Sequence, residues 1–161
     1  YPDTVFVSSG GNTELDQRSS IALAILGKVF PDMEIWVFKD RDMASGKLVS
    51  ESDRMEYLDN QNERFRVMKR WEIENYLFDK DVLRKYCIEN QKTFDEIKYD
   101  NNFTSQDLID LDVKSKFSLI KSICSIPTHI NPENFKINLS KLITSDMNVY
   151  QELESCIFDR K

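Results

Sequence analysis

A chain of 161 residues with 40% hydrophobic and 31% charged side chains can build one folded core and is too apolar to be disordered. Its formal net charge of -6 excludes binding nucleic acid through a general basic surface. A phosphate-bearing ligand would need a bound cation to offset carboxylate repulsion.

Thr4-Val5-Phe6-Val7 is a β-branched and aromatic run that predicts a buried strand, ended by the turn signal Ser8-Ser9-Gly10-Gly11. Thr13 and Asp16 then form a capping-box-like pair. The helix that follows carries Leu15, Ala22, Ile25, Leu26 and Val29 on one broad face, and Pro31-Asp32 stops it. Ile35-Trp36-Val37-Phe38, four apolar residues in a row, predicts a strand covered on both faces. Strand, helix and strand in close succession make a βαβ unit, whose right-handed crossover joins parallel strands. In a parallel sheet the loops after the strands emerge on one edge, where ligands bind. Gly10-Gly11 and Asp40-Arg41-Asp42 are therefore expected to face one crevice.

Residues 43–63 are polar and rich in turn formers, with a short helix expected from Ser50 to Leu58, capped by Ser50 with Asp53 three residues on. Arg64-Phe65-Arg66-Val67-Met68 predicts a third strand, running into a helical spacing at Ile73, Tyr76 and Leu77. If that strand is parallel, Glu72 and Glu74 arrive near the edge that holds Asp40. After Asp79 the pattern is helical. Val82, Leu83, Tyr86 and Cys87 suit one helix, and Val113, Phe117, Ile120 and Cys124 another. Asn131-Pro132 starts a third, with Phe135, Leu139, Leu142 and Ile143. Ser145 is expected to cap a last one bearing Val149, Leu153 and Cys156. The chain reads as an α/β core over residues 1–84 and a helical extension over 85–161.

No apolar run approaches the ~20 residues that cross a bilayer, and the Tyr1-Pro2-Asp3 opening is not a signal peptide. No membrane association is expected. Cys87, Cys124 and Cys156 are too widely spaced for a zinc motif, and an odd count gives no disulfide framework, so reduced thiols in a cytoplasmic protein are expected. His129, in Pro127-Thr128-His129, reads as a loop residue without a role. Tyr1 is not a natural start, which suggests a fragment of a longer protein.

Asp40-Arg41-Asp42 is the main chemical signal. Two carboxylates one residue apart, at the end of a buried strand, can point into one crevice, and such hard oxygen donors suit Mg2+ (or Mn2+) bridged to phosphate. A solvated loop is the competing explanation. Glu72 and Glu74 fit a helix N-terminus, where acids are favoured by the macrodipole, but Glu74 abuts the apolar junction Asn75-Tyr76-Leu77 and is a candidate for the same site. Ser8-Ser9-Gly10-Gly11 can present backbone amides of Gly10 and Gly11 to a phosphate, although a plain turn explains it more simply. Arg41, Lys69 and Arg70 can steady phosphate or developing charge, with surface solvation as the default for each. Neither a dinucleotide fingerprint nor a nucleotide-hydrolysis loop is present.

Taken together, Val37-Phe38-Lys39-Asp40-Arg41-Asp42-Met43 and Arg70-Trp71-Glu72-Ile73-Glu74-Asn75-Tyr76-Leu77 resemble the Toprim domain found at the C-terminus of OLD-family (overcoming lysogenization defect) proteins. The resemblance covers about residues 4–84. It implies a parallel-sheet Toprim core, incomplete at its N-terminus, because a first strand ending in a catalytic glutamate would lie upstream of Tyr1. It implies a metal-dependent nuclease with Asp40, Asp42 and Glu74 as Mg2+ ligands and catalytic residues, and Gly10, Gly11 and Arg70 as phosphate contacts. It further implies nucleic acid, DNA foremost, as substrate, an ATPase domain in the same full-length chain, a place in phage defence or DNA processing, and room for a homo-oligomer. The isolated fragment is expected to be inactive. Two other readings stay open: a non-catalytic, degenerate Toprim-like interaction module, and a nucleotide-sugar transferase fragment.

Overall fold

The computed structural model describes residues 3–6, 21, 24–41, 50–61 and 63–159. Strands β1 (Val37–Lys39) and β2 (Phe65–Val67) pair in parallel, with Val37, Phe38 and Lys39 opposite Phe65, Arg66 and Val67. The sheet is thus parallel, as the sequence required for Glu72 and Glu74 to approach Asp40. Before β1 lies a helix over residues 24–29, α1, which ends at a turn over 31–32. Between the strands runs α2 (Glu51–Asn60). Its start is fixed by a full capping box: the Asp53 amide donates to Ser50 Oγ, and the Ser50 amide donates to Asp53 Oδ2. Because β1 and β2 are parallel, α2 begins at the carboxyl edge of the sheet and returns to the amino edge.

The remainder is helical: α3 (Ile73–Leu77), α4 (Lys80–Glu89), α5 (Glu96–Asp100), α6 (Asp107–Asp110), a 3-10 turn at Lys114–Lys116, α7 (Phe117–Ile123), α8 (Pro132–Ser140), α9 (Asn148–Glu154) and a π-helical turn, Ser155–Asp159. Val82, Leu83, Tyr86 and Cys87 do line one face of α4 and are all buried. They join Tyr76, Phe78, Ile120, Ile123, Phe135 and Leu139 in one continuous core. Aromatic rings knit its centre: Phe135 packs edge-on to Tyr86 at 5.0 Å and lies 5.7 Å from Phe117. Helices α4 and α7 both close through left-handed residues that are not glycine, Gln91 (φ 53°) and Ser125 (φ 51°). At each end the amide two residues past the cap reaches back, Lys92 to the Cys87 carbonyl and Ile126 to that of Lys121.

Several sequence expectations change. Residues 4–6 form no strand, and Val5 is 81% exposed; a β-branched run becomes a strand only where a partner ladder receives it. The first βαβ unit expected from it is therefore not what the described residues build, and the observed parallel unit is β1–α2–β2. The apolar face of α1 is not buried either, with Ile25 56% and Val29 60% exposed. The last helix begins at Asn148 rather than after Ser145, and its cap, Met147, makes no side-chain bond. Helices α5 and α6 had no clear apolar periodicity; their signals were local, Asp95 capping Lys98 and a reciprocal Thr104–Asp107 pair. The expected boundary after residue 84 falls inside α4, and one core runs from Met68 to Val149 across it.

Candidate carboxylate site at the sheet edge

The carboxyl ends of β1 and β2 remain locked together beyond the strands. Met68 N–H donates to the Lys39 carbonyl at 3.0 Å, and Arg41 N–H donates to the Trp71 carbonyl at 3.1 Å. Asp40 and Glu72 each lie one residue from that last bond, so the two acidic segments share one edge. Asp40 is half-buried. Asp42, Gly10 and Gly11 lie outside the described residues. Between the two aspartates Arg41 is fully buried, not solvated: its Nη1 donates to the Lys69 carbonyl at 2.8 Å and pairs with Asp110 Oδ1 at 3.2 Å. That anchor ties the end of β1 to the turn after β2 and to α6.

Glu72 and Glu74 are both buried, at the start of α3. A buried carboxylate must be paired or neutralised, and here two lysines from the helical body do the pairing. Lys114 Nζ donates to Glu72 Oε2 at 3.1 Å, its backbone amide reaches Glu72 Oε1 at 3.3 Å, and the same ammonium lies 3.5 Å from Glu74 Oε1. Lys136 Nζ donates to Glu74 Oε1 at 3.1 Å and also pairs with Glu133 at 2.7 Å. Burial raises the Glu72 pKa, against the opposing hydrogen bond from Lys114, with the Glu74 charge adding to the rise. Burial works against the Lys114 ammonium, yet the hydrogen bond to Glu72 and the charges of both glutamates outweigh it and raise its pKa. Lys136 behaves likewise through Glu133 and Glu74.

Arg70 is also buried and committed. Its Nε donates to Glu152 Oε1 at 2.9 Å, its Nη1 to Asp79 Oδ2 at 2.9 Å and to the Asn75 carbonyl at 2.9 Å, and the guanidinium lies 4.9 Å from the Tyr76 ring centre. Burial opposes its charge, but Glu152 and Asp79 raise its pKa overall. Such a guanidinium organises the chain after β2; offering it to a phosphate would break two ion pairs.

No protein-family model, curated protein or solved structure matches the chain. The geometry therefore carries the functional argument by itself. Of the residues expected from sequence, Asp40 and Glu72 flank the last backbone bond between the strand ends, and Glu74, in α3, pairs with Lys136 and Lys114. Among the described residues, no group of three or more His, Cys, Asp or Glu side chains is placed to hold a metal ion. Lys114, Lys136 and Asp110 were not legible as site residues. They lie 40, 62 and 70 residues from Glu74, Glu74 and Asp40, and no motif spacing links them. The one usable hint was physical: two acids placed in an apolar junction require cations from elsewhere.

Proposed function

We propose that the chain is part of a metal-dependent phosphodiesterase of the nuclease type, with its site at the carboxyl edge of β1 and β2. The observation that supports it is the parallel pairing continued by the Arg41–Trp71 backbone bond, which sets Asp40 and Glu72 beside one another along the two strand ends. Asp40, Asp42 and Glu74 would hold the cation, Mg2+ or Mn2+, since hard carboxylate oxygens match it. When bound, such a cation supplies Lewis-acid activation of water and of the departing oxygen. The protein's own contribution is positional. Arg41 pins the strand end through Lys69 and Asp110, and Lys136 and Lys114 pair with Glu74 in a buried setting. DNA is the substrate proposed, and the ATPase partner and the place in phage defence remain part of the same proposal.

A second reading has its own support. Glu72, Glu74 and Arg70 already have their charges balanced inside the fold, which is what a non-catalytic interaction module descended from such a site would show. Calorimetric titration with Mn2+ separates the two. The nuclease reading expects binding at millimolar levels or better, lost in the Asp40→Asn, Asp42→Asn double variant. Unchanged binding in that variant removes the site; no binding by the parent chain leaves the interaction module.

A further inference from the structure

Among the described residues, one buried cation has side-chain nitrogens that make no hydrogen bond. Arg54, in the first turn of α2, has 0% of its surface exposed. Neither its Nε nor its Nη2 makes a hydrogen bond. Nη1 reaches the Met55 sulfur at 3.8 Å, and Glu51, 45% exposed on the same helix, lies 3.4 Å from Nε in an ion pair without a hydrogen bond. Arginine cannot shed its proton to relieve such a setting. A buried donor left without an acceptor costs stability, and more so when it is charged. Folded proteins retain such groups mainly where something else supplies the acceptor.

The place is informative. In a parallel β1–α2–β2 unit the chain leaves β1 at its carboxyl end, which sets the first turn of α2 toward that edge of the sheet. Two charge interactions agree: Arg41 acts on Asp53 beside Arg54, and Arg54 acts on the thiol of Cys156, which also accepts the Lys69 amide. Lys69 and Arg41 both follow the strands directly. Arg54 thus sits at the edge where α/β sheets receive ligands. Nε and Nη2, neither of them hydrogen-bonded, form the side-on fork that grips two oxygens of one anion.

We propose that Arg54 is an anion receptor, taking two oxygens of a phosphoryl group through Nε and Nη2, with Glu51 as the carboxylate that yields to it. A planar carboxylate is already in reach and forms no hydrogen bond; a phosphoryl group carries more charge and more acceptor oxygens than Glu51 presents. Glu51, half-exposed at the surface, turns to solvent as the anion enters. The inference shares the sheet edge with the cation site but does not rest on it.

The test is titration of the chain with inorganic phosphate in Mg2+-free buffer. Thermal unfolding and 31P line width are read at constant ionic strength set with NaCl. The parent chain is expected to gain roughly 3–5 °C at ten times its dissociation constant and to broaden the 31P signal. Arg54→Met and Arg54→Lys should abolish both effects, whereas Glu51→Gln should tighten phosphate about two- to fivefold by removing the competing charge. Arg54→Met, which replaces the buried charge by an apolar chain, is expected to fold with a Tm at or above the parent's in NaCl alone. If it does not fold, the Arg54→Lys and Glu51→Gln arms carry the test. A DNA oligonucleotide that displaces phosphate assigns the receptor to a phosphodiester; one that does not assigns it to free phosphate. Equal phosphate shifts in the parent chain and the Arg54 variants would mean general salt stabilisation and overturn the proposal, as would no shift and no broadening in the parent chain. Because no metal is present, failure here leaves the Mn2+ titration untouched, and the reverse also holds.

Discussion

The β1–α2–β2 unit and the helical body that follows are built on opposite terms. The helical body has an apolar interior, with Tyr76, Val82, Leu83, Ile120, Ile123, Phe135 and Leu139 in one cluster. The strand unit has a small apolar patch, Leu58 and Val67 with Tyr57 beside them, and buries four cations: Lys39, Arg41, Arg54 and Arg66. Buried acids, Glu72 and Glu74, come where the chain leaves that unit. Stability and chemistry thus reside in different regions. Apolar burial supplies the folding free energy, so the helical body is the anchor. The strand unit is held to it by polar ties: Arg66 Nε to the Ile157 carbonyl at 2.7 Å, Arg41 to Asp110, and Lys114 and Lys136 to the glutamates. Its charged edge is what such a construction leaves for binding.

The largest expected effect probes the anchor. Phe135→Ala opens a cavity where Phe117 and Tyr86 meet and should cost about 3–5 kcal/mol, lowering the Tm by about 10 °C or more in a thermal melt. A loss under 1 kcal/mol would mean the helical body is not the anchor. Arg70→Met leaves Glu152 and Asp79 without their shared cation and should cost about 3 kcal/mol in urea unfolding; it also releases the turn after β2 from α9. Hydrogen exchange should then speed up in β2 while α4 and α8 keep their protection, the pattern expected if the strand unit opens by itself. Uniform loss of protection would show instead that the two regions unfold as one.

Two smaller effects sharpen the contrast. Gln91→Gly removes the left-handed strain that closes α4 and should stabilise by up to about 1 kcal/mol, measurable as a higher urea midpoint. Glu72→Gln tests the seam. Burial raises the Glu72 pKa in the folded state, so its stabilising contribution is full below its ordinary range near pH 4.5 and is lost as pH rises through the elevated value. The variant should match the parent chain at pH 4 and become the more stable of the two toward pH 7. A parent chain that instead gains relative to the variant as pH rises would show that the Lys114 pair outweighs burial.

How much was legible follows from the range of each interaction. The capping box at Ser50 and Asp53, the Asn131-Pro132 helix start and the buried face of α4 were all readable, because each is written within a few residues. The parallel pairing of the two strands was readable as a condition, since apolar runs mark strands but not which strands pair. The strand at residues 4–7 failed on that point: Val5 and Phe6 have the right composition and, among the described residues, no ladder. Arg41 and Arg70 looked like surface cations and are buried, because their partners Asp110 and Glu152 lie 69 and 82 residues away.

Local sequence set the helices with local caps, the two short strands and the types of residue that could bind a cation or a phosphate. It did so because propensity, capping and periodicity act over a turn or two of chain. Tertiary structure alone decided which charges are buried and what neutralises them. The pairing of Glu72 and Glu74 with Lys114 and Lys136, the burial of Arg41 and the burial of the Arg54 fork without hydrogen bonds all depend on contacts between distant segments, or on the lack of one. Desolvation and Coulomb energies depend on distance in space, which no spacing along the chain records.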